Sequence, residues 1–212
     1  MNFIFDLDGT IIDSSSGIYK GYTEAIIPFS KPIRKKIFVN HIGPPIQDII
    51  KVIHPELKPK DLEFITKNFR NLYDNKYFLD FKVYKKIHEE IEKISKSNQC
   101  FIVTNKPTSP AKIIIKKLNL DKFFIETIGV DYFIKKGCIK SKNLSYLIKK
   151  FSLNTKASIY IGDTYSDFIC SKDNNISFIG FLRGYYKWSN EEIKNINNFY
   201  DNPRQILEKI DI

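Results

Sequence analysis

The chain has 212 residues, enough for one full core or for one core plus a small inserted domain. Its hydrophobic content of 42% and its aromatic content of 14% exclude wholesale disorder. Its formal net charge is +10, but the lysines are dispersed among acidic residues, so we expect no nucleic-acid partner. No apolar run approaches the ~20 residues of a membrane span, so no membrane association is expected.

The first predicted strand, residues 3–7, runs into a pair of carboxylates. Asp6 and Asp8 are two residues apart, so in an extended strand they begin on the same face. Gly9 then lets the chain turn sharply, at the sheet edge where open α/β sheets place their ligands. Two close carboxylates repel unless a cation or a proton lies with them. The pair predicts a metal and an anionic substrate, although Asp-Gly is also common in ordinary turns.

The next stretch, residues 14–80, predicts helices and no strand. Candidate helices cover residues 17–27, 45–53 and 60–77, and proline and glycine punctuate the segments between them. We therefore predict an α-helical domain at 14–80, inserted into a discontinuous core made of residues 1–13 and 81–212.

From residue 81 onward, short apolar runs alternate with amphipathic stretches. Predicted strands lie at 101–104, about 125–130, 159–161 and 177–181, and predicted helices at 83–96, 110–118, 141–151, 167–174 and 203–210. Strands that alternate with helices favour an α/β fold, a Rossmann-like parallel sheet flanked by helices.

A second acidic motif follows the predicted strand at 159–161. Asp163 comes directly after Gly162, and Asp167 lies four residues later, in the first turn of the next predicted helix. Both could simply cap that helix. Beside the first strand end, however, Asp6, Asp163 and Asp167 would surround one hard cation, and all-oxygen ligands of this kind suit Mg²⁺.

The strand at 101–104 ends in Thr104 and Asn105, which offer a hydroxyl, an amide and backbone N–H groups for phosphoryl oxygens. A positively charged side chain should balance the negative charge of the carboxylates. Lys140 suits the pattern of the helix that follows, and Lys142 is the alternative.

These motifs, in this order, resemble those of haloacid dehalogenase-superfamily phosphatases. The four motifs are Asp6 to Thr10, Thr104-Asn105, a lysine near 140, and Gly162-Asp163 with Asp167. The helical insert is similar to the small α-helical cap of the phosphoglycolate phosphatase-like branch, as are the Thr-Asn-Lys-Pro at 104–107 and the Gly-Pro-Pro at 43–45. One departure is Ser141, where many relatives have proline after the lysine.

The resemblance implies a mechanism. Asp6 would be the nucleophile that forms an aspartyl-phosphate, and Asp8 would move the protons. Mg²⁺ would lie on Asp6, on the backbone carbonyl of Asp8 and on Asp163, with Asp167 bound directly or through water. Thr104, Asn105 and Lys140 would hold the phosphate of a small phosphorylated metabolite.

Other functions stay open. A carboxylic acid at position 8 separates the chain from the transport ATPases of the superfamily, which have threonine there. It leaves a β-phosphoglucomutase-like phosphomutase, a nucleotidase or a pyrophosphatase as alternatives, and a basic binding module on the same fold as the non-enzymatic one.

The three cysteines, Cys100, Cys138 and Cys170, are widely spaced and odd in number. They predict reduced thiols and a cytoplasmic protein. The N-terminal apolar stretch is interrupted at once by Asp6 and Asp8, which does not fit a signal peptide. The expected assembly is a monomer or a small homo-oligomer.

Overall fold

The computed structural model describes residues 1–132 and 140–209. The β-strands in these residues, β1 to β8, span Asn2–Phe5, Ile12–Asp13, Lys82–Val83, Gln99–Val103, Glu126–Ile128, Ser158–Gly162, Ser177–Phe181 and Phe199–Tyr200. The α-helices, α1 to α10, span Ser15–Ile26, Lys35–Phe38, Ile46–Ile53, Pro59–Leu72, Ile87–Ser95, Thr108–Lys117, Lys140–Lys150, Tyr165–Asp173, Asn190–Ile196 and Gln205–Glu208. Among the described residues, no helix combines the length and apolar character needed to cross a bilayer.

Six strands form one sheet in the order β5-β4-β1-β6-β7-β8, and every neighbouring pair is parallel. Phe5 at the end of β1 is in register with Ile102 of β4 on one side and with Ile161 of β6 on the other. The predicted Rossmann-like α/β fold is confirmed. Because the strand order reverses at β1, the carboxyl end of this strand is the switch point at which such sheets bind ligands.

The core of the sheet is apolar on both faces, as parallel strands require. Phe3, Ile4 and Phe5 of β1 are almost fully buried. On one face Ile4 belongs to a cluster with Leu144 and Leu147 of α7, which are three residues apart and lie on one side of that helix. Each such side chain contributes roughly 1.5–3 kcal/mol when it leaves water.

The chain divides into two compact units. One contains Met1–Ile12 and Val83–Ile212, and the other contains Asp13–Lys82; the predicted boundaries were 1–13, 14–80 and 81–212. Residues 14–81, all of them described, contain no β-strand. In this helical unit the buried ring of Tyr22 stacks on that of Phe38, with centroids 4.3 Å apart.

Several predicted boundaries differ from the structure. The helix predicted from residue 83 begins at Ile87, because Lys82–Val83 form β3 and Lys86 has a left-handed φ of 71°. The helix predicted at 60–77 ends at Leu72 and continues as a π-helical turn, Tyr73–Tyr77. Helices α2 and α9 and strand β8 were not predicted. The final helix is shorter than predicted, Gln205–Glu208, and residue 210 and Cys138 lie outside the described residues.

Candidate active site

Three neighbouring strands bring the predicted residues to one edge of the sheet. Asp6 follows β1, and its N–H donates to the carbonyl of Ile161 at 2.8 Å. Thr104 follows β4 and Asp163 follows β6, the strands on either side of β1. Strand order therefore brings together residues that are between 59 and 157 positions apart in the sequence.

The turn after Asp6 is built by its own backbone. The carbonyl of Leu7 accepts from the N–H groups of Ile11 and Ile12, at 2.9 and 3.1 Å. Gly9 has a φ of +83°, and a Cβ at this position would lie 2.2 Å from Oδ2 of Asp163. Both facts require glycine here, since any side chain would push the two acidic loops apart.

A buried group of three carboxylates lies at this edge. Asp6, Asp163 and Asp167 each offer an oxygen within 4.8 Å of the others. Burial raises the pKa of Asp6 to about 6, although the Lys140 ammonium opposes the shift. Burial, with the nearby carboxylates of Asp167 and Asp6, raises the pKa of Asp163 well above its usual range. Such a group favours a bound cation, and its hard oxygen donors fit Mg²⁺.

Asp163 is held in place from two sides. The Thr10 hydroxyl donates to its Oδ1 at 3.1 Å, and the N–H of Tyr185 donates to its Oδ2 at 2.8 Å. Gly184 allows this second contact, because a Cβ there would lie 2.2 Å from the Cβ of Asp163. The loop after β7 thus supports the site, a role that the sequence did not predict; a glycine just beyond a buried strand was a signal for it.

Lys140 is the cation inside the carboxylate group. It is the first residue of α7, and its Nζ lies 3.0 Å from Oδ1 of Asp6 and 2.5 Å from Oδ1 of Asp167. Burial would lower its pKa, but these two carboxylates outweigh burial and hold the pKa above its usual range. The alternative, Lys142, is exposed. The structure brings Lys140 to the site, and Lys142 lies on the surface of the same helix.

Asp167 has two roles in the structure. Its Oδ2 accepts from the N–H and the hydroxyl of Thr164, at 3.0 and 2.8 Å, and its own N–H donates back to that hydroxyl. This reciprocal pair is a capping box at the start of α8. Asp167 therefore caps α8 and also lies in the acidic cluster.

Asp8 stands apart from the three buried carboxylates and has a different partner. Its Oδ1 lies 3.1 Å from the Nζ of Lys106, and its side chain is 20% exposed, against 9% for Asp6. Sequence reasoning gave Lys106 no role of its own. The two aspartates of the first motif thus occupy different electrostatic surroundings.

Thr104 and Asn105 lie in the loop between β4 and α6. Thr104 is buried, and its hydroxyl oxygen accepts from the N–H of Lys106 at 3.2 Å. The hydrogen of that hydroxyl therefore remains available to an anionic acceptor. Asn105 is half-buried in the same loop.

The raised pKa values predict how metal-free protein responds to pH. The pKa of Asp6 is about 6 in the folded protein and has its ordinary value of 3.8 in the unfolded chain. The stability from this group is therefore complete below about pH 4 and is lost as the pH rises through about 6. In EDTA the wild type should therefore lose stability relative to the Asp6→Asn variant as the pH rises. We expect the difference in melting temperature, variant minus wild type, to increase by roughly 5 °C between pH 4.5 and 7.5.

The comparison with Asp6→Asn cancels the contribution of carboxylates that do not interact with Asp6, so the difference reports on Asp6 and its neighbours in the cluster. Added Mg²⁺ should shrink the difference, because a bound cation favours the ionised carboxylate. A difference that stays constant over this pH range would contradict the burial argument.

Comparisons with known proteins find similar sequences over most of the chain. The family model of haloacid dehalogenase-like hydrolases matches residues 3–181. Similar curated proteins include the phosphoglycolate phosphatase of Haemophilus influenzae, 23% identical over 193 residues that cover 85% of each chain. That of Colwellia psychrerythraea is 25% identical over 195 residues, 86% of this chain and 84% of its own.

Solved structures share the fold over nearly the whole chain. A haloacid dehalogenase-like family hydrolase from Streptococcus pneumoniae superimposes with a TM-score of 0.87 at 23% identity, covering 98% of this chain and 96% of that one. A predicted phosphatase from Clostridium acetobutylicum gives a TM-score of 0.85 at 25% identity and covers 98% of both.

Proposed function

This chain belongs to the haloacid dehalogenase-like hydrolase family, and we propose that it is a Mg²⁺-dependent phosphatase that hydrolyses a small phosphorylated metabolite through an aspartyl-phosphate. The observation that carries the proposal is the meeting of Asp6, Asp163, Asp167 and Lys140 at the carboxyl end of β1. Phosphoglycolate is the first substrate to test, because the similar curated proteins are phosphoglycolate phosphatases.

In the proposed reaction the carboxylate of Asp6 attacks phosphorus in line with the ester bond. The bond from phosphorus to the leaving oxygen breaks, and that oxygen takes a proton from Asp8. The aspartyl-phosphate on Asp6 is then attacked by water, which gives its proton to Asp8, and inorganic phosphate leaves. The greater exposure of Asp8 fits this work, since it must reach both the leaving group and a water molecule.

Mg²⁺ would be held by Asp6, Asp163 and the backbone carbonyl of Asp8, with Asp167 bound directly or through water. When bound, it would reduce the repulsion between the carboxylate nucleophile and the anionic phosphate. The buried three-carboxylate group and its hard oxygen donors support this choice of metal.

Thr104, Asn105 and Lys140 would hold the transferring phosphate. Phosphoryl transfer depends mainly on position and charge, and the buried Thr104 hydroxyl can still donate. Lys140 would contribute its charge while it holds Asp6 in place.

The helical unit would serve as the cap that selects the leaving group, as the resemblance implies for residues 14–80. A cytoplasmic location and a monomer or small homo-oligomer complete the proposal. Cys100 and Cys170 are free and buried, which is compatible with reduced thiols.

A metabolite screen tests this function. Purified protein with Mg²⁺ is incubated with phosphoglycolate, sugar phosphates, nucleotides and pyrophosphate, and released phosphate is measured with and without EDTA. We expect phosphate release that needs the metal. Sugar-phosphate isomerisation that depends on a bisphosphate activator would point to a phosphomutase instead. Salt-sensitive nucleic-acid binding with no hydrolysis of any compound would overturn the proposal in favour of a binding module.

A further inference from the structure

A second buried ammonium lies at the site, outside the acidic cluster. The Nζ of Lys106 is 3.1 Å from Oδ1 of Asp8, and the Lys106 side chain is only 2% exposed. Lysine is seldom buried to this degree unless it is paired, because the ammonium loses its hydration when it leaves water. Its position therefore calls for a specific explanation.

The backbone of Lys106 is fixed on both sides. Its N–H donates to the hydroxyl of Thr104 at 3.2 Å, and its carbonyl accepts from the N–H of Val130 at 3.2 Å. The residue lies in the short loop between β4, which ends at Val103, and α6, which begins at Thr108. The ammonium is thus carried by a part of the fold that is tied to the central sheet.

Asp8, by contrast, stands on a tight turn and is the more exposed partner. A carboxylate that moves protons must have its oxygen within hydrogen-bond reach of the leaving oxygen. A charge-assisted hydrogen bond is stronger and more directional than a neutral one. The Lys106 ammonium can therefore hold Asp8 in the orientation in which its carboxylate reaches the leaving oxygen, in the same way that Lys140 holds Asp6.

We propose that Lys106 is a positioning residue for Asp8, which it holds in the orientation that delivers a proton to the leaving group. The inference rests on the proposed phosphatase function. The competing explanation is an ion pair that only stabilises the loop. The two explanations differ in one respect: a positioning role acts through Asp8 and matters only when the leaving group needs a proton.

Two substrates separate these explanations. An alkyl phosphate such as phosphoglycolate leaves as an alcohol and needs a proton, whereas p-nitrophenyl phosphate leaves as a stable anion. For Lys106→Met we expect kcat/KM to fall about 100-fold with the alkyl phosphate and less than about threefold with p-nitrophenyl phosphate. Lys106→Arg, which keeps the charge, should recover most of the loss.

A double-mutant cycle with Asp8→Asn provides the second test. If Lys106 acts through Asp8, adding Lys106→Met to Asp8→Asn should cause no further loss with the alkyl phosphate. Lys112→Met is the matched control, because Lys112 forms a surface ion pair with Glu126 at 3.2 Å in the same unit. It should leave both substrates unaffected.

Each result has a clear meaning. Equal losses with both substrates, together with additive losses in the cycle, would overturn the positioning role while the phosphatase function stands. Wild-type protein that hydrolyses neither p-nitrophenyl phosphate nor any compound of the metabolite screen would remove the proposed function and this inference with it. If Lys106→Met fails to fold, Lys106→Gln answers the same question, because it removes the ammonium and shortens the side chain, with p-nitrophenyl phosphate hydrolysis as the measure of a folded site.

Discussion

Replacing Asp6 with asparagine is expected to abolish phosphate release, by on the order of 10⁴-fold or more in kcat. The amide has nearly the shape of the carboxylate but cannot form the aspartyl-phosphate. The measurement is steady-state hydrolysis of the best substrate, together with acid-quench detection of phosphate bound to the protein. Neither product nor labelled protein should appear with the variant.

The same change should leave the fold intact and make the metal-free protein more stable at neutral pH. Burial destabilises the ionised form of Asp6, so a neutral amide at this position removes the cost of desolvating a charge. Lys140 still has Asp167 as its ion-pair partner. Loss of activity caused by unfolding would lower the melting temperature instead. Asp121→Asn, at an exposed carboxylate, is the matched control. Wild-type activity in Asp6→Asn would overturn the assignment of the nucleophile.

Replacing Lys140 with methionine is expected to damage stability and activity together. Methionine preserves the approximate length of the side chain but leaves three buried carboxylates without their internal cation. Removing one partner from a buried ion pair costs about 3–5 kcal/mol, so the melting temperature of the metal-free variant should fall by roughly 10 °C near neutral pH. The loss of a charge that stabilises the transition state should lower kcat about 100-fold even when Mg²⁺ keeps the protein folded.

Lys142→Met is the control for this experiment. It changes the same residue type in the same helix, two positions away, but at an exposed site. Thermal unfolding in EDTA and in Mg²⁺, followed by hydrolysis rates, should leave this variant close to the wild type. If Lys142→Met lost activity and Lys140→Met did not, the two lysines would have been assigned in the wrong order.

Local pattern was sufficient to predict much of the sheet. The apolar runs that lead into Asp6, Thr104 and Asp163 have the length and composition of buried strands, and each became one. Elements with few buried residues were missed for the opposite reason. Strand β8 is two residues long, and helix α9 contains no buried residue, so hydrophobic periodicity had almost nothing to detect.

Local sequence pattern could not predict the residue pairs that support the site. Tyr185 reaches Asp163, and Lys106 reaches Asp8, only because separate loops converge at one edge of the sheet. The choice between Lys140 and Lys142 was different, because the helical pattern already favoured Lys140. The structure places the Lys140 side chain in the acidic cluster and leaves Lys142 exposed.

The sequence by itself determined the order of the strands along the chain, the chemical groups at their ends and the family of the protein. These follow from residue type and short-range spacing, which the backbone converts directly into strands, helices and turns. The tertiary structure decided the environment of each carboxylate: Asp6 in a buried cluster with Lys140, and Asp8 beside Lys106 with partial access to solvent. The physical reason is that burial and the distance to other charges set the electrostatic free energy of an ionised side chain. Both depend on residues that are far apart in the chain.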